Sequence, residues 1–212
     1  MICLLEDLTP AQAILAGGKG DVLARLYQAG YRVPNAFVVL TSAFENDDLK
    51  SEAWAEVRAA LAKLRNDHPD LTFAVRSSAL GEDSALASFA GEFETILRVS
   101  DDTSIRCAID TVRRSRHAGR VATYSQARGL ARDHDVAVIV QQMVTPELSG
   151  VLFTADPVTG SHAAIVGNYV RGLGEKLVAG ETNAPSFTFS CRGTVQAATV
   201  WRASDRSWAL SN

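Results

Sequence analysis

The apolar residues of this 212-residue chain come in strand-sized runs. The longest, such as Ala36 to Leu40 and Val136 to Val140, fall far short of the roughly 20 residues that a membrane-spanning helix requires. In the second half such runs recur between turn signals at Pro146, Asp156-Pro157, Gly160 and Arg192-Gly193. Short apolar runs bounded by Gly, Pro and Asp predict strands over 136–144, 150–154, 163–166, 186–189 and 194–200. Strands that follow one another through short turns pair antiparallel, so the second half is expected to be antiparallel-rich.

Helices are predicted among the strands of the first half. Gly17, Gly18 and Gly20 surround Lys19 and lead into Val22, Leu23, Leu26 and Tyr27, a helical stripe ending at Gly30. A strand at Phe37–Leu40 follows, then a helix carrying Trp54, Val57, Leu61 and Leu64 at spacings of three and four. Phe73–Arg76 is expected as a strand ending in a loop over 77–91, and Thr95–Val99 as another strand. Asp101 to Ser104 offers N-cap groups to a long helix bearing Ile105, Ile109 and Val112, expected to run as far as Gly129 with a break at Gly119. The fold class is therefore α+β.

Charge narrows the function classes. Twenty-one basic against 24 acidic groups leave a net charge of −3, which excludes bulk polyanion binding and argues against a nucleic-acid partner. Three widely spaced cysteines, Cys3, Cys107 and Cys191, show no metal-type pairing and suit a reducing compartment. The amino terminus lacks the basic region of a signal peptide. A cytoplasmic protein without a membrane partner is expected.

Three segments could carry chemistry. Gly17-Gly18-Lys19-Gly20 at a helix start lets backbone N–H groups approach phosphate oxygens beside a mobile positive charge, although Asp21 breaks the P-loop pattern. An ordinary turn with a solvated lysine fits it too. Arg76 ends a buried strand beside the hydroxyl-rich segment leading to Gly91, which suits phosphate, whereas pairing with Glu82 or Asp83 would merely close the loop. Gln141, Gln142 and Met143 end a buried strand with amides beside a thioether, which suits an adenine edge; core packing by Met143 is the plainer alternative.

Four runs, Gly17 to Val39, Val75 to Leu97, Val140 to Gly160 and Arg171 to Gly180, resemble in order the amino-terminal nucleotide-binding module of the dikinase family, which includes phosphoenolpyruvate synthase, pyruvate phosphate dikinase and rifampicin phosphotransferase. The resemblance implies a single ATP-grasp-like module over 1–212, with a first lobe of about residues 1–100 and a β-rich part from 101 that carries the adenine-side strand. It implies phosphate contacts from Lys19 and Arg76, a loop over the triphosphate containing Gly91 and Thr95, and adenine held at Gln141 with Met143 beside it. Arg120 sits where the family often has a basic residue, and Gly172-Leu173-Gly174-Glu175 matches a signature whose glycines make a tight turn.

The implied chemistry is ATP-dependent phosphoryl transfer through a carrier histidine on a mobile partner domain. His68, His117, His134 and His162 lie in no such context, so a carrier and acceptor domain elsewhere, on a separate chain, is expected. The family's acidic metal-ligand strand, followed by a Gln, finds no match up to Asn212, and the resemblance therefore implies an incomplete Mg²⁺ site, a module C-terminally short and a chain inactive alone. Smaller departures are Ala36 where the family prefers Gly and Ala184-Pro185 where it prefers Pro-Asp. The alternative function is a non-catalytic nucleotide-binding or scaffolding module of the same fold.

Overall fold

The side chains of Val136 to Val140 are all fully buried. A strand with that pattern must be covered on both faces, and it lies at the centre of a five-stranded sheet. The computed structural model of the chain describes residues 1–66, 68–80, 94–117, 135–157, 159–190 and 195–197. The chain folds as two units, residues 1–144 and 145–212. In the first, the elements are β1 (Ile2–Leu4), α1 (Pro10–Gln28), β2 (Ala36–Val39), β3 (Phe44–Glu45), β4 (Asp48–Leu49), α2 (Ser51–Arg65), β5 (Phe73–Ala79), β6 (Thr95–Val99), α3 (Asp102–Arg114) and β7 (Val136–Gln142). The strand order is β1-β2-β7-β5-β6, every pair antiparallel. Helix α3 and strand β7 thus fold with the first unit.

Alternation along the strands assigns the two faces. Phe37, Val39, Phe73, Val75, Val138 and Val140 face a core closed by Val57 and Leu61 of α2 and by Ile105, Ile109 and Val112 of α3. Val38, Ala137 and Ile139 face the other way, against Ala16 and Ala24 of α1. Ala16, Gly20 and Ala24 recur every four residues and are all buried, so a stripe of small residues brings α1 close to the sheet.

Several expectations hold and others are corrected. The strands at 37–40, 95–99 and 136–144, the α2 stripe and the Asp101 cap, which accepts the Ser104 N–H at 2.9 Å, are all found. Strand β5 does not stop at Arg76: Ser77, Ser78 and Ala79 pair with Val138, Ala137 and Val136, since β7 offers partners that far. Helix α1 starts before the glycines, with Pro10 in its first turn and Gln12 Oε1 accepting the Thr9 N–H at 3.1 Å. Helix α3 ends at Arg114 and is followed by a 3₁₀ turn, Ser115–His117; the expected continuation to Gly129 lies outside the described residues.

The second unit is an antiparallel meander, as expected, of β8 (Leu148–Phe153), β9 (Ala164–Arg171), β10 (Ser186–Ser190) and β11 (Val195–Ala197), in the order β11-β10-β9-β8. Phe187 lies across Gly167, where a Cβ would fall 2.3 Å from the ring. Gly172 turns with φ 73° before the short helix α4 (Glu175–Val178), and the Ser149 hydroxyl donates to its carbonyl at 2.6 Å. At the Gly172–Glu175 signature, where a tight turn is expected, the chain bends at Gly172 and Gly174. Among the described residues no helix is long and apolar enough to cross a membrane.

The β3–β4 hairpin turns through Asn46 and Asp47 at φ 49° and 67°. Asp47 ties that turn to the end of α3: its carboxylate meets Arg113 at 3.0 Å, Arg116 at 2.8 Å and His117 at 2.6 Å. Arg113 also reaches Asp135 at 2.6 Å, donates to the Val136 carbonyl and covers the Phe44 ring. Burial would raise the Asp47 pKa, but hydrogen bonds from His117 and Arg116 and the charges of Arg116 and Arg113 outweigh it and hold the group at about 2. Because the folded pKa lies below the unfolded value near 3.8, this stabilisation is present above that value and is lost as pH falls towards 2. Asp47→Asn, which tolerates the same backbone conformation, is expected to lower unfolding stability by about 1–3 kcal/mol at pH 7 in urea titrations. The gap to the parent should narrow between pH 4 and pH 2.

Candidate functional site

Gly17 interrupts α1 with φ 74° and ψ 169°, so a second helical stretch begins at Gly18. That conformation belongs almost solely to glycine. A Cβ at Gly17 would lie 2.3 Å from the Ser78 carbonyl oxygen and 2.5 Å from Ser78 Oγ. One at Gly20 would lie 3.2 Å from the Ala16 Cβ and 3.4 Å from Val38 Cγ2. The glycines around Lys19 thus serve first to seat the helix on β5. Lys19, half-buried, projects from the start of that second stretch.

The sheet register places the other candidates on the face that α1 covers. Arg76 pairs with Ile139 on one side and with Thr95 on the other. Directly paired residues point the same way, so Arg76 and Thr95 stand together on that face, Arg76 half-buried and Thr95 exposed on the edge strand β6. Ser78, two residues from Arg76, and Gln141, two from Ile139, share the face. Along it, Ser78 pairs with Ala137 and Ala74 with Gln141. Four residues of β7 therefore separate the Lys19 end from the Gln141 end, a distance of about 13 Å.

Gln141 is buried, and its Nε2 donates to the Pro34 carbonyl at 3.3 Å. One amide hydrogen is thereby taken, which leaves the oxygen and the second hydrogen. Met143 is half-buried just past β7 and donates its backbone N–H to the Thr72 carbonyl at 2.9 Å. The structure thus brings Arg76, Thr95 and Gln141 to one face and seats the turn that carries Lys19 against Ser78 at one end of it. Gly91, Glu82, Asp83 and Arg120 lie outside the described residues, so neither the loop over the triphosphate nor the alternative partners of Arg76 are described.

One residue of this face was hidden in the sequence. Ser78 falls in the segment whose sequence predicts a loop, yet it is fully buried and its Oγ accepts the Gly20 N–H at 3.0 Å. Its only sequence signal is its place two residues after Arg76, which puts both side chains on one strand face. Among the described residues no group of three or more His, Cys, Asp or Glu could hold a metal ion. Of the histidines, His117 is engaged with Asp47. A cleft of about 320 Å³ at the Gln141 end of the sheet is lined by Glu6, Tyr27, Asn35, Lys63, His68 and Gln142 among others, and the Lys63–Glu6 ion pair and the Tyr27–Asn35 hydrogen bond lie within its lining.

Comparison with known proteins bears on what this face does. The family described as pyruvate phosphate dikinase, AMP/ATP-binding domain, matches residues 40–200. Rifampicin phosphotransferase of Streptomyces sviceus is 32% identical over 92% of this chain and 27% of its own length. The prodigiosin synthesizing transferase PigC of Serratia marcescens is 35% identical over 81% of this chain and 22% of its own. A probable phosphoenolpyruvate synthase of Methanocaldococcus jannaschii is 27% identical over 88% of this chain and 19% of its own. The chain spans about a quarter of the length of the curated relatives it matches.

The glycine contacts give a direct expectation. Gly17→Ala forces a positive φ on alanine and a clash with the Ser78 backbone, and should cost about 2–4 kcal/mol. Calorimetric unfolding should show this as a melting temperature lower by roughly 5–15 °C.

Proposed function

Because the chain belongs to the pyruvate phosphate dikinase AMP/ATP-binding domain family, we propose that residues 1–212 are the ATP-binding part of a dikinase-type phosphotransferase with an ATP-grasp-like, two-lobed fold. The observation that carries this reading is the order of groups on one sheet face. The turn carrying Lys19 sits against Ser78 at one end, Arg76 and Thr95 stand in the middle, and Gln141 lies about 13 Å along the strands from the Ser78 end. That is the reach of a nucleoside triphosphate laid along β5. Lys19 and Arg76 bind phosphate oxygens, Arg76 by its planar fork and Lys19 as a point charge. Thr95 donates to an adjacent phosphate oxygen, and Gln141 with Met143 holds the adenine, an amide meeting its edge and a thioether its face.

Phosphoryl transfer of this kind depends on position and on neutralised charge, and two cations on a partly buried face supply both without a basic surface overall. This suits a chain whose net charge is only −3. Mg²⁺, when bound, would supply further neutralisation of the phosphate charge. The β,γ-pyrophosphoryl group passes to a histidine carried outside these residues as the α–β phosphoanhydride bond breaks and AMP leaves. The γ-phosphate then departs to water or phosphate, and the remaining phosphoryl group passes to a small acceptor. A cytoplasmic enzyme is the setting that fits ATP as substrate. The second reading, a nucleotide-binding module without chemistry, rests on the same face and differs only in lacking a carrier.

Titration calorimetry with ATP tests the proposal. The parent should bind, and Lys19→Ala and Arg76→Ala should each weaken binding by about 1.5–3 kcal/mol, roughly ten- to hundredfold. ATP binding unchanged in both variants would remove the assignment of this face.

A further inference from the structure

A helix normally finishes its first turn with the side chain of the residue just before it, which accepts the N–H of the second or third helical residue. The second stretch of α1 cannot do so, because the residue before it is Gly17, which has no side chain. The third residue of that stretch is Gly20, and its N–H is accepted by Ser78 Oγ from β5, 58 residues along the chain, at 3.0 Å. The missing cap is therefore supplied by the sheet. Ser78 does more than accept that bond, since its carbonyl oxygen occupies the space where a Cβ on Gly17 would fall. Both ends of the first turn, Gly17 and Gly20, rest on this one fully buried serine, and Lys19 lies between them.

The same strand carries Arg76 two residues away on the same face. One rigid segment of β5 thus holds the arginine directly and the lysine through the turn. We propose that Ser78 is a positioning residue of the nucleotide site, which acts through the Gly20 N–H to fix Lys19 relative to Arg76. It does not touch the nucleotide. The inference rests on the reading of Lys19 as a phosphate ligand.

The test is a double-mutant cycle on ATP affinity, measured by calorimetry on the parent, Ser78→Ala, Lys19→Ala and the double variant. A neutral hydrogen bond sets the scale, so Ser78→Ala should weaken ATP binding roughly three- to tenfold in the parent background. In the Lys19→Ala background the same change should cost less than about twofold, because the residue it positions is gone. Ser78→Cys keeps the volume but is a weak acceptor, and should reproduce the alanine loss; it replaces alanine in the cycle if Ser78→Ala does not fold. Ser78→Thr, which keeps the hydroxyl, should recover most of the affinity. Parent-like binding by Ser78→Ala or Ser78→Cys overturns the proposal, as does an equal loss in both backgrounds, which marks general softening of the fold. A parent that binds no ATP overturns the function reading itself, and this inference with it. A parent and Lys19→Ala of equal affinity does the same for Lys19 alone.

Discussion

Everything in the first unit is referred to the central strand β7, which no water reaches between Val136 and Val140. Each of its buried valines and its isoleucine contributes roughly 1.5–3 kcal/mol through lost apolar surface, and alternation sends the valines to one face and the isoleucine to the other. The two faces are unequal in size. On one, Val138 and Val140 meet the large side chains of α2 and α3; on the other, Ala137 and Ile139 meet the alanines of α1. A slip of one residue in the pairing would exchange these sets, put bulk against the small stripe of α1 and leave space beneath α2 and α3. The register that places Arg76 opposite Thr95 and Ile139 is thereby fixed by packing remote from any ligand.

Much of this was legible in the sequence, because period and punctuation are local signals. The stripe Val57, Leu61 and Leu64 announces α2, Asp101 announces α3, and the turn residues of the second half announce a meander. What local signals miss is burial imposed by a partner. Ser77 and Ser78 read as loop because they are small and polar, yet β7 extends far enough to pair with both. The β3–β4 hairpin, two residues to a strand, is too short to show a period. Its turn gains support from Asp47, whose partners Arg113, Arg116 and His117 lie about 70 residues away in sequence.

The candidate site divides in the same way. Residue type points Lys19 and Arg76 towards phosphate, and the order of four motifs points to the family. That Arg76, Thr95 and Gln141 stand on one face follows only from the strand register, and that the turn carrying Lys19 sits at the Ser78 end of it follows only from the contacts of Gly17 and Gly20, which no single segment contains. The glycines beside Lys19 invite a reading as space for a phosphate, whereas the contacts at Gly17 and Gly20 show them first as space for β5. The two readings are compatible, since a helix start seated tightly on a strand is also one held still for a ligand.

The distant cap also sets an order of events for a growing chain. When α1 leaves the ribosome, the acceptor for its broken turn has not been made, and β5 in turn waits for β7, its neighbour at the centre of the sheet. The turn beside Lys19 can reach its final shape only after the chain has been made as far as Gln142. It thus settles long after its own residues are synthesised, and its geometry reports that the sheet has closed correctly.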